Sequence, residues 1–501
     1  MKPAINIVWF KRDLRLSDHK PLQLAIESGL PIVLLYVFEP SLMNYGDSSD
    51  RHWRFIYQSL QQMQKVLEKY NAVINIIHSE AINAFQKINE HFSVSYIFSH
   101  EETGNQLSFE RDKQIKQFCK AYHIQWLESP TNGIIRGLKT RKDFNKDWLS
   151  VMHAPLFEVN LDRLNKIKIN QQLSSVSENE HFYKIINSTN SIFQPGGEIY
   201  ANDYLKSFLS TRKLNYSNHI SKPLESRKSC SRLSPYLTWG NLSMKQVYQA
   251  ALNSVEQTGD TYNIKFFINR LHWHCHFIQK FESECSIEFE NLNKGFDNIR
   301  NIENETYITA WKNGETGYPL VDACMRCVIA TGYLNFRMRS MLVSFLTHHL
   351  WQPWQAGVHH LAKQFLDYEP GIHYPQFQMQ AGTMGVNTIR TYNPTKQSKD
   401  HDPKGVFIKK WIVALQHLPE NLIHEPWTMS EIEQELYQCK VGIDYPAPII
   451  DLKTAAAYAR VHLWKTKKTK EVALNNEHIL EKHTKRKSKK KDHTLQINFW
   501  K

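Results

Sequence analysis

Between residues 5 and 128 the sequence alternates short apolar runs with amphipathic stretches, and this rhythm constrains the fold more than any other feature. Residues 5–10 (INIVWF), 31–38 (PIVLLYVF), 72–78, 94–99 and 124–128 have the length and apolar content of buried strands. Between them, residues 22–28, 54–70, 82–92 and 109–122 carry apolar side chains at helical spacing, the first run ending at Gly29. Strands this apolar, each followed by a helix, predict a parallel, doubly wound sheet, whose ligands bind beyond the carboxyl ends of its strands. No GxGxxG or GxxxxGK sequence occurs there, which excludes an ordinary dinucleotide or nucleoside-triphosphatase domain.

The pattern then changes. Residues 136–200 read as an interdomain linker, polar and rich in Asn, Ser and Gln over 160–195. From 201 to 464 long helices with aromatic stripes take over, clearest at 266–282, 320–330, 336–350 and 358–366. The expected order is an α/β amino-terminal domain over 1–135, a linker, an all-α domain, and a basic, disordered tail over 465–501. That tail holds 12 Lys and Arg against 4 Asp and Glu, +8 of the chain's net +13, and Lys485, Arg486 and Lys487 open its densest run. Such an arm raises affinity for polyanions without selecting sequence; the plain alternative is a solvated terminus.

Aromatic residues make up 12% of the chain, enough to suggest stacking surfaces or a large-ring ligand. No stretch approaches the ~20 apolar residues of a bilayer span, so no membrane partner is expected. Charges at Lys11, Arg12 and Asp13 follow the first apolar run too closely for a secretory signal. Seven cysteines, an odd number in a chain of 501 residues, fit reduced thiols in the cytoplasm. Cys324 and Cys327 form a CxxC inside a predicted helix and read as core thiols, so no metal is expected.

Four local patterns carry chemistry. Trp9-Phe10-Lys11-Arg12-Asp13-Leu14-Arg15 ends the first strand; its plain reading is a surface turn with internal ion pairs. Ser231-Arg232-Leu233-Ser234-Pro235-Tyr236 places hydroxyls ahead of a helix start, where backbone and side-chain donors can meet a phosphate. Gly314-Glu315-Thr316-Gly317-Tyr318-Pro319 leads through Arg326 to Arg337 and Arg339. Asp367-Tyr368-Glu369 and Arg390-Thr391-Tyr392-Asn393-Pro394 follow.

In this order and spacing the patterns resemble the cryptochrome/photolyase family over nearly the whole chain. The resemblance implies an α/β antenna domain and a helical domain holding FAD. Reduced flavin, driven by light, donates an electron to a pyrimidine dimer flipped out of DNA, splits it and takes the electron back. It further implies a cofactor site of Tyr216, Ser231, Leu233, Ser234, Arg339, Asp367 and Glu369, with Cys230 where threonine is usual. Glu369 replaces an aspartate and keeps the carboxylate that can accept the ring N3–H. Residues 101–105 and 110–112 lie where relatives bind a folate or deazaflavin antenna. Only Cys439 follows the flavin loop, so no iron–sulfur cluster is expected.

Departures from the family concern activity more than flavin. His373 stands where asparagine faces flavin N5, Arg270 replaces a lesion-binding glutamate, Phe336 an asparagine and Met379 a stacking tryptophan. Trp273 keeps the aromatic that would stack on the dimer, and His272, His274 and His276 read as polar lining of the lesion cavity. The three-tryptophan electron path becomes Phe377, Trp354 and Asn301, so photoreduction is expected to be poor or to run through Trp351, Trp354 or Tyr392. The expected function is deoxyribodipyrimidine photo-lyase activity by a monomer, with Trp273, Arg270 and His373 as catalytic residues. Trp273, Arg270, Met379, Lys485, Arg486 and Lys487 are the expected DNA contacts. The alternative is a blue-light photoreceptor with little repair.

Overall fold

The computed structural model describes residues 2–167, 180–188, 192–259 and 261–483. Five parallel strands, β1 (Ala4–Phe10), β2 (Ile32–Phe38), β3 (Ile74–His78), β4 (Ser93–His100) and β5 (Gln125–Ser129), form one sheet in the order β3-β2-β1-β4-β5. The order reverses beside β1, where Val8 lies between Leu34 of β2 and Phe98 of β4. Alternate side chains of β1 serve two cores, as the pleat requires. Val8 and Phe10 pack with the Lys20–Glu27 and Asp50–Leu67 helices, while Ile5, Ile7 and Trp9 pack with Ala81–His91 and Gln106–Ala121. The first of these cores runs without a break into the helical part of the chain, through Tyr236, Trp239, Leu271, Ile278 and Leu366.

That continuity corrects one expectation. The loop after β1 is not a surface turn: Lys11, Asp13, Arg15 and Asp18 are all buried. Leu14 N–H donates to Trp239 C=O (3.1 Å), Asn241 Nδ2 donates to Leu14 C=O (2.9 Å), and Ser243 Oγ donates to Asp18 Oδ2 (2.6 Å). Gly240 lets the two backbones meet, because its φ is +73° and a Cβ there would stand 2.2 Å from the Arg12 carbonyl oxygen.

Two boundaries also move. The 136–200 linker contains the Phe144–His153 helix, whose Phe144, Trp148 and Met152 are buried, with Trp148 against Tyr248 and His272 (5.4 and 5.0 Å between ring centres). The Glu180–Asn187 helix buries Phe182 against Phe38 and His78. Sparse large apolar residues in a polar stretch were enough to dock these helices, and composition hid them. Likewise the basic segment is helical beyond Lys465: Leu452–Lys467 is followed by Lys470–His483, with Val472 and Ile479 buried and Asn476 accepting from Asn293 Nδ2 (2.9 Å). Most of its described Lys and Glu side chains are exposed, while Lys482 pairs with Glu284. Lys485, Arg486 and Lys487 lie outside the described residues. Among the described residues, no helix is long and apolar enough to cross a membrane.

Candidate flavin and lesion site

The Thr261–Ser283 helix, which carries Arg270 and Trp273, crosses the Pro370–Ala381 helix, which carries His373 and Met379. They approach closely at Gly371, where a Cβ would stand 2.9 Å from the Ile278 Cα. Beside this crossing the Phe336–Ser344 helix delivers Arg339. Its Nη2 donates to both oxygens of Asp367 (3.0 and 2.9 Å), its Nε donates to Leu334 C=O (2.7 Å), and its guanidinium lies 3.9 Å over Phe365. Burial alone would raise the Asp367 pKa; Arg339 and the Ser234 hydroxyl outweigh it and hold the carboxyl below its ordinary value.

The hydroxyl loop leads into the Ser234–Thr238 helix. Arg232 takes a left-handed backbone (φ +58°), with its guanidinium 3.7 Å over Tyr333 and its Nη2 donating to Gln194 (2.6 Å). Arg212 Nη2 donates to Ser231 C=O (3.2 Å). Leu233 is fully buried and Ser231 and Ser234 are half-buried. Tyr216 is buried against Phe208, Phe266 and Phe267, and burial pushes its hydroxyl pKa up. Arg270 lies over the Phe266 ring (5.1 Å), so it belongs to the same neighbourhood as Tyr216.

Trp273 is 41% exposed, with His276 and Phe277 as ring neighbours, and Phe336 is 39% exposed. Met379 is half-buried. His373 is buried and its Nε2 bonds Val358 C=O (2.8 Å); desolvation takes its pKa down to about 3, so the ring is neutral and donates at Nε2. Trp354 is buried with its Nε1 donating to Asn291 (2.9 Å) and, among the described residues, it has no aromatic ring neighbour. Trp351 instead joins Tyr458 and His462 (5.2 and 5.7 Å).

Sequence reasoning missed Arg12, whose Nη1 donates to Glu369 Oε2 (2.8 Å) across the domain boundary. Arg12 was visible in the first motif, but nothing local announces a partner 357 residues away. It also missed the buried cluster of Asp13, His19 and His100. Leu22 N–H donates to His19 Nδ1 (3.1 Å), which puts the imidazole proton on Nε2, facing Asp13 Oδ2 (2.9 Å). His100 Nδ1 meets the same oxygen at 2.7 Å. A neutral His19 therefore offers Asp13 a proton and no lone pair, so the three form a satisfied hydrogen-bond network. Beyond the ends of β2 and β4, Arg111 pairs with Glu39, Glu102 and Asp112 (2.8–2.9 Å).

The donor set fits FAD. Glu369 Oε1 is a buried acceptor with no hydrogen bond of its own, as a flavin imide N–H would require; Arg232 Nε is a buried cationic donor with none, as a diphosphate would require. Both ring nitrogens of His274, which the sequence reading took as polar lining of the lesion cavity, are likewise buried without hydrogen-bond partners.

Comparison with known proteins agrees with this geometry. The family description "FAD binding domain of DNA photolyase" matches residues 267–465, and "DNA photolyase" matches residues 6–144. The chain is 28% identical over 468 residues to the deoxyribodipyrimidine photo-lyase of Alkalihalophilus pseudofirmus, covering 89% of this chain and 95% of that one. It is 29% identical over 484 residues to the cryptochrome DASH of Synechocystis, covering 90% and 96%. An archaeal photolyase structure from Sulfolobus tokodaii with two FAD molecules superposes with a TM-score of 0.75 at 25% identity, over 92% of this chain and 99% of that one. An α/β domain whose core runs into a helical FAD-binding domain, matched along both parts to photolyases and cryptochromes alike, places the chain in the cryptochrome/photolyase family.

Proposed function

We propose that this protein repairs pyrimidine dimers in DNA under blue or near-ultraviolet light. Reduced FAD, when bound, supplies the electron that opens the dimer and recovers it afterwards. The residues of this chain bind and orient. Arg339 and Asp367 form a buried pair at the ring, and Glu369 offers the imide acceptor. Ser231, Ser234 and Arg232 would hold the diphosphate, and Tyr216 would close that end of the site. Trp273 presents a flat face to a flipped dimer, with Arg270 one turn earlier on the same helix. The observation that carries the reading is an indole left 41% exposed on a helix packed directly against the helix that Glu369 begins, a flat face beside the proposed flavin site.

A cryptochrome-type photoreceptor is the second reading. It draws on His373, whose Nε2 is spent on Val358 C=O, and on Trp354, whose indole, among the described residues, has no ring contact and bonds Asn291 instead. The two readings separate in a gel assay of dimer-containing oligonucleotides, light against dark, with the FAD-loaded protein. Light-dependent loss of dimers is expected; none at full flavin reduction overturns the repair reading for these dimers.

The basic arm after His483 is expected to add non-specific DNA affinity only. Truncation after His483 should weaken binding and flatten its salt dependence, because fewer counterions are released, while preference for damaged DNA persists. An unchanged salt slope would remove the arm from the interface. Truncation after Trp464 tests something else, since it also strips the buried Val472 and Ile479 and should destabilise the fold.

A further inference from the structure

The loop after β1 does more than dock. Arg12 reaches out of the α/β domain, stacks on Trp239 (4.8 Å) and donates to Glu369 Oε2 (2.8 Å). Glu369 is buried, and it begins the Pro370–Ala381 helix that carries His373. The packing between Gly240 and the Arg12 backbone fixes where that guanidinium starts. We propose that Arg12 is a positioning residue that keeps Glu369 ionised and aimed at the flavin, so that the α/β domain sets the charge of the flavin site. This rests on the reading that FAD binds at Glu369.

Among the described charged groups around Glu369, Arg12 is the cation paired with it, and the Gly371 backbone adds a weaker pull in the same direction. The elements packed around Glu369 bring Lys11, His100, Glu101 and Glu102 from the strand ends, and Cys275 from the Thr261–Ser283 helix. Lys11 is committed to Asp112 (3.2 Å), and Glu102 repels the Glu369 carboxylate. His100 and Cys275 are neutral, their pKa values moved by burial to about 4 and about 12. Asp367, two residues earlier, is matched by Arg339. Burial drives the Glu369 pKa up, and Arg12 is the main force opposing it. The Arg12–Glu369 pair is thus neutral as a unit, with one carboxylate oxygen left over for a hydrogen bond.

Removing either partner should move the flavin potential in opposite directions. In Arg12→Gln, Glu369 loses its cation. At high pH it leaves a net negative charge that disfavours reduced flavin; at low pH it takes a proton and the site is neutral again. The midpoint potential of FAD-loaded Arg12→Gln is therefore expected to match the wild type in acid and to fall below it as pH rises, the gap opening at a Glu369 pKa raised further by loss of the Arg12 cation. Glu369→Gln, which leaves the cation alone, should raise the potential at every pH where wild-type Glu369 is ionised, with the gap closing in acid. The double variant Arg12→Gln/Glu369→Gln should show no pH-dependent gap, and Arg12→Lys should restore the wild-type profile. A potential that tracks the wild type at all pH values in both single variants overturns the proposal, as does a gap that persists in the double variant. If Arg12→Gln fails to retain FAD, the rise in Glu369→Gln still decides. Wild-type protein that binds no FAD would instead refute the flavin reading itself.

Discussion

Asp367→Ala is expected to purify with little or no FAD. The substitution leaves Arg339 beside Phe365 with no counter-charge, and breaking a buried pair by removing one partner costs about 3–5 kcal/mol. Arg339 is 23% exposed along its side chain, so the lower end applies, a loss of roughly a hundredfold in flavin retention. Asp367→Asn keeps the shape and an acceptor oxygen and should lose less. Flavin content per protein and the FAD dissociation rate measure both variants. Full occupancy with unchanged dissociation in Asp367→Ala would remove the pair from the flavin site. The same pair sets an acid limit. Because the Asp367 pKa is depressed in the fold, its contribution is complete above the unfolded carboxylate pKa and is lost as pH falls through the folded value.

Trp273→Ala should abolish preference for dimer-containing DNA while leaving FAD in place. Stacking a base on an aromatic ring is worth about 1–3 kcal/mol by alanine substitution, so damaged-DNA affinity should drop about ten- to hundredfold with little change toward undamaged DNA. Arg270→Ala should act differently. A permanent cation near the lesion can donate to pyrimidine carbonyls or to the intra-dimer phosphate, and it favours the negative charge that the dimer acquires during repair. Its loss should lower repair per absorbed photon more than it lowers flavin content. Because Arg270 also lies near Tyr216, flavin content is measured in each variant. Wild-type repair in both would mean that the lesion does not sit on Trp273 and Arg270.

The sequence by itself determined the two architectures and the identities at the site. Apolar runs separated by amphipathic helices leave a parallel sheet almost no alternative, and the strands fall within a residue or two of their expected places, as with β1 at Ala4–Phe10. The Arg339–Asp367 pair was legible because motif order fixes register, even though the residues lie 28 positions apart. What tertiary structure decided was every pairing between the domains. Arg12 looked like a surface cation because its neighbours in sequence are charged; only the approach permitted by Gly240 carries it to Glu369. The linker looked aperiodic and the carboxyl-terminal segment disordered because polar composition predominates in both, yet Trp148, Phe182, Val472 and Ile479 each fill a place in a core assembled from distant segments. His373 shows the same limit at the site itself. Its position was readable, but the direction of its imidazole depends on the Val358 carbonyl of a neighbouring helix, since a buried donor bonds whatever acceptor the packing brings within reach.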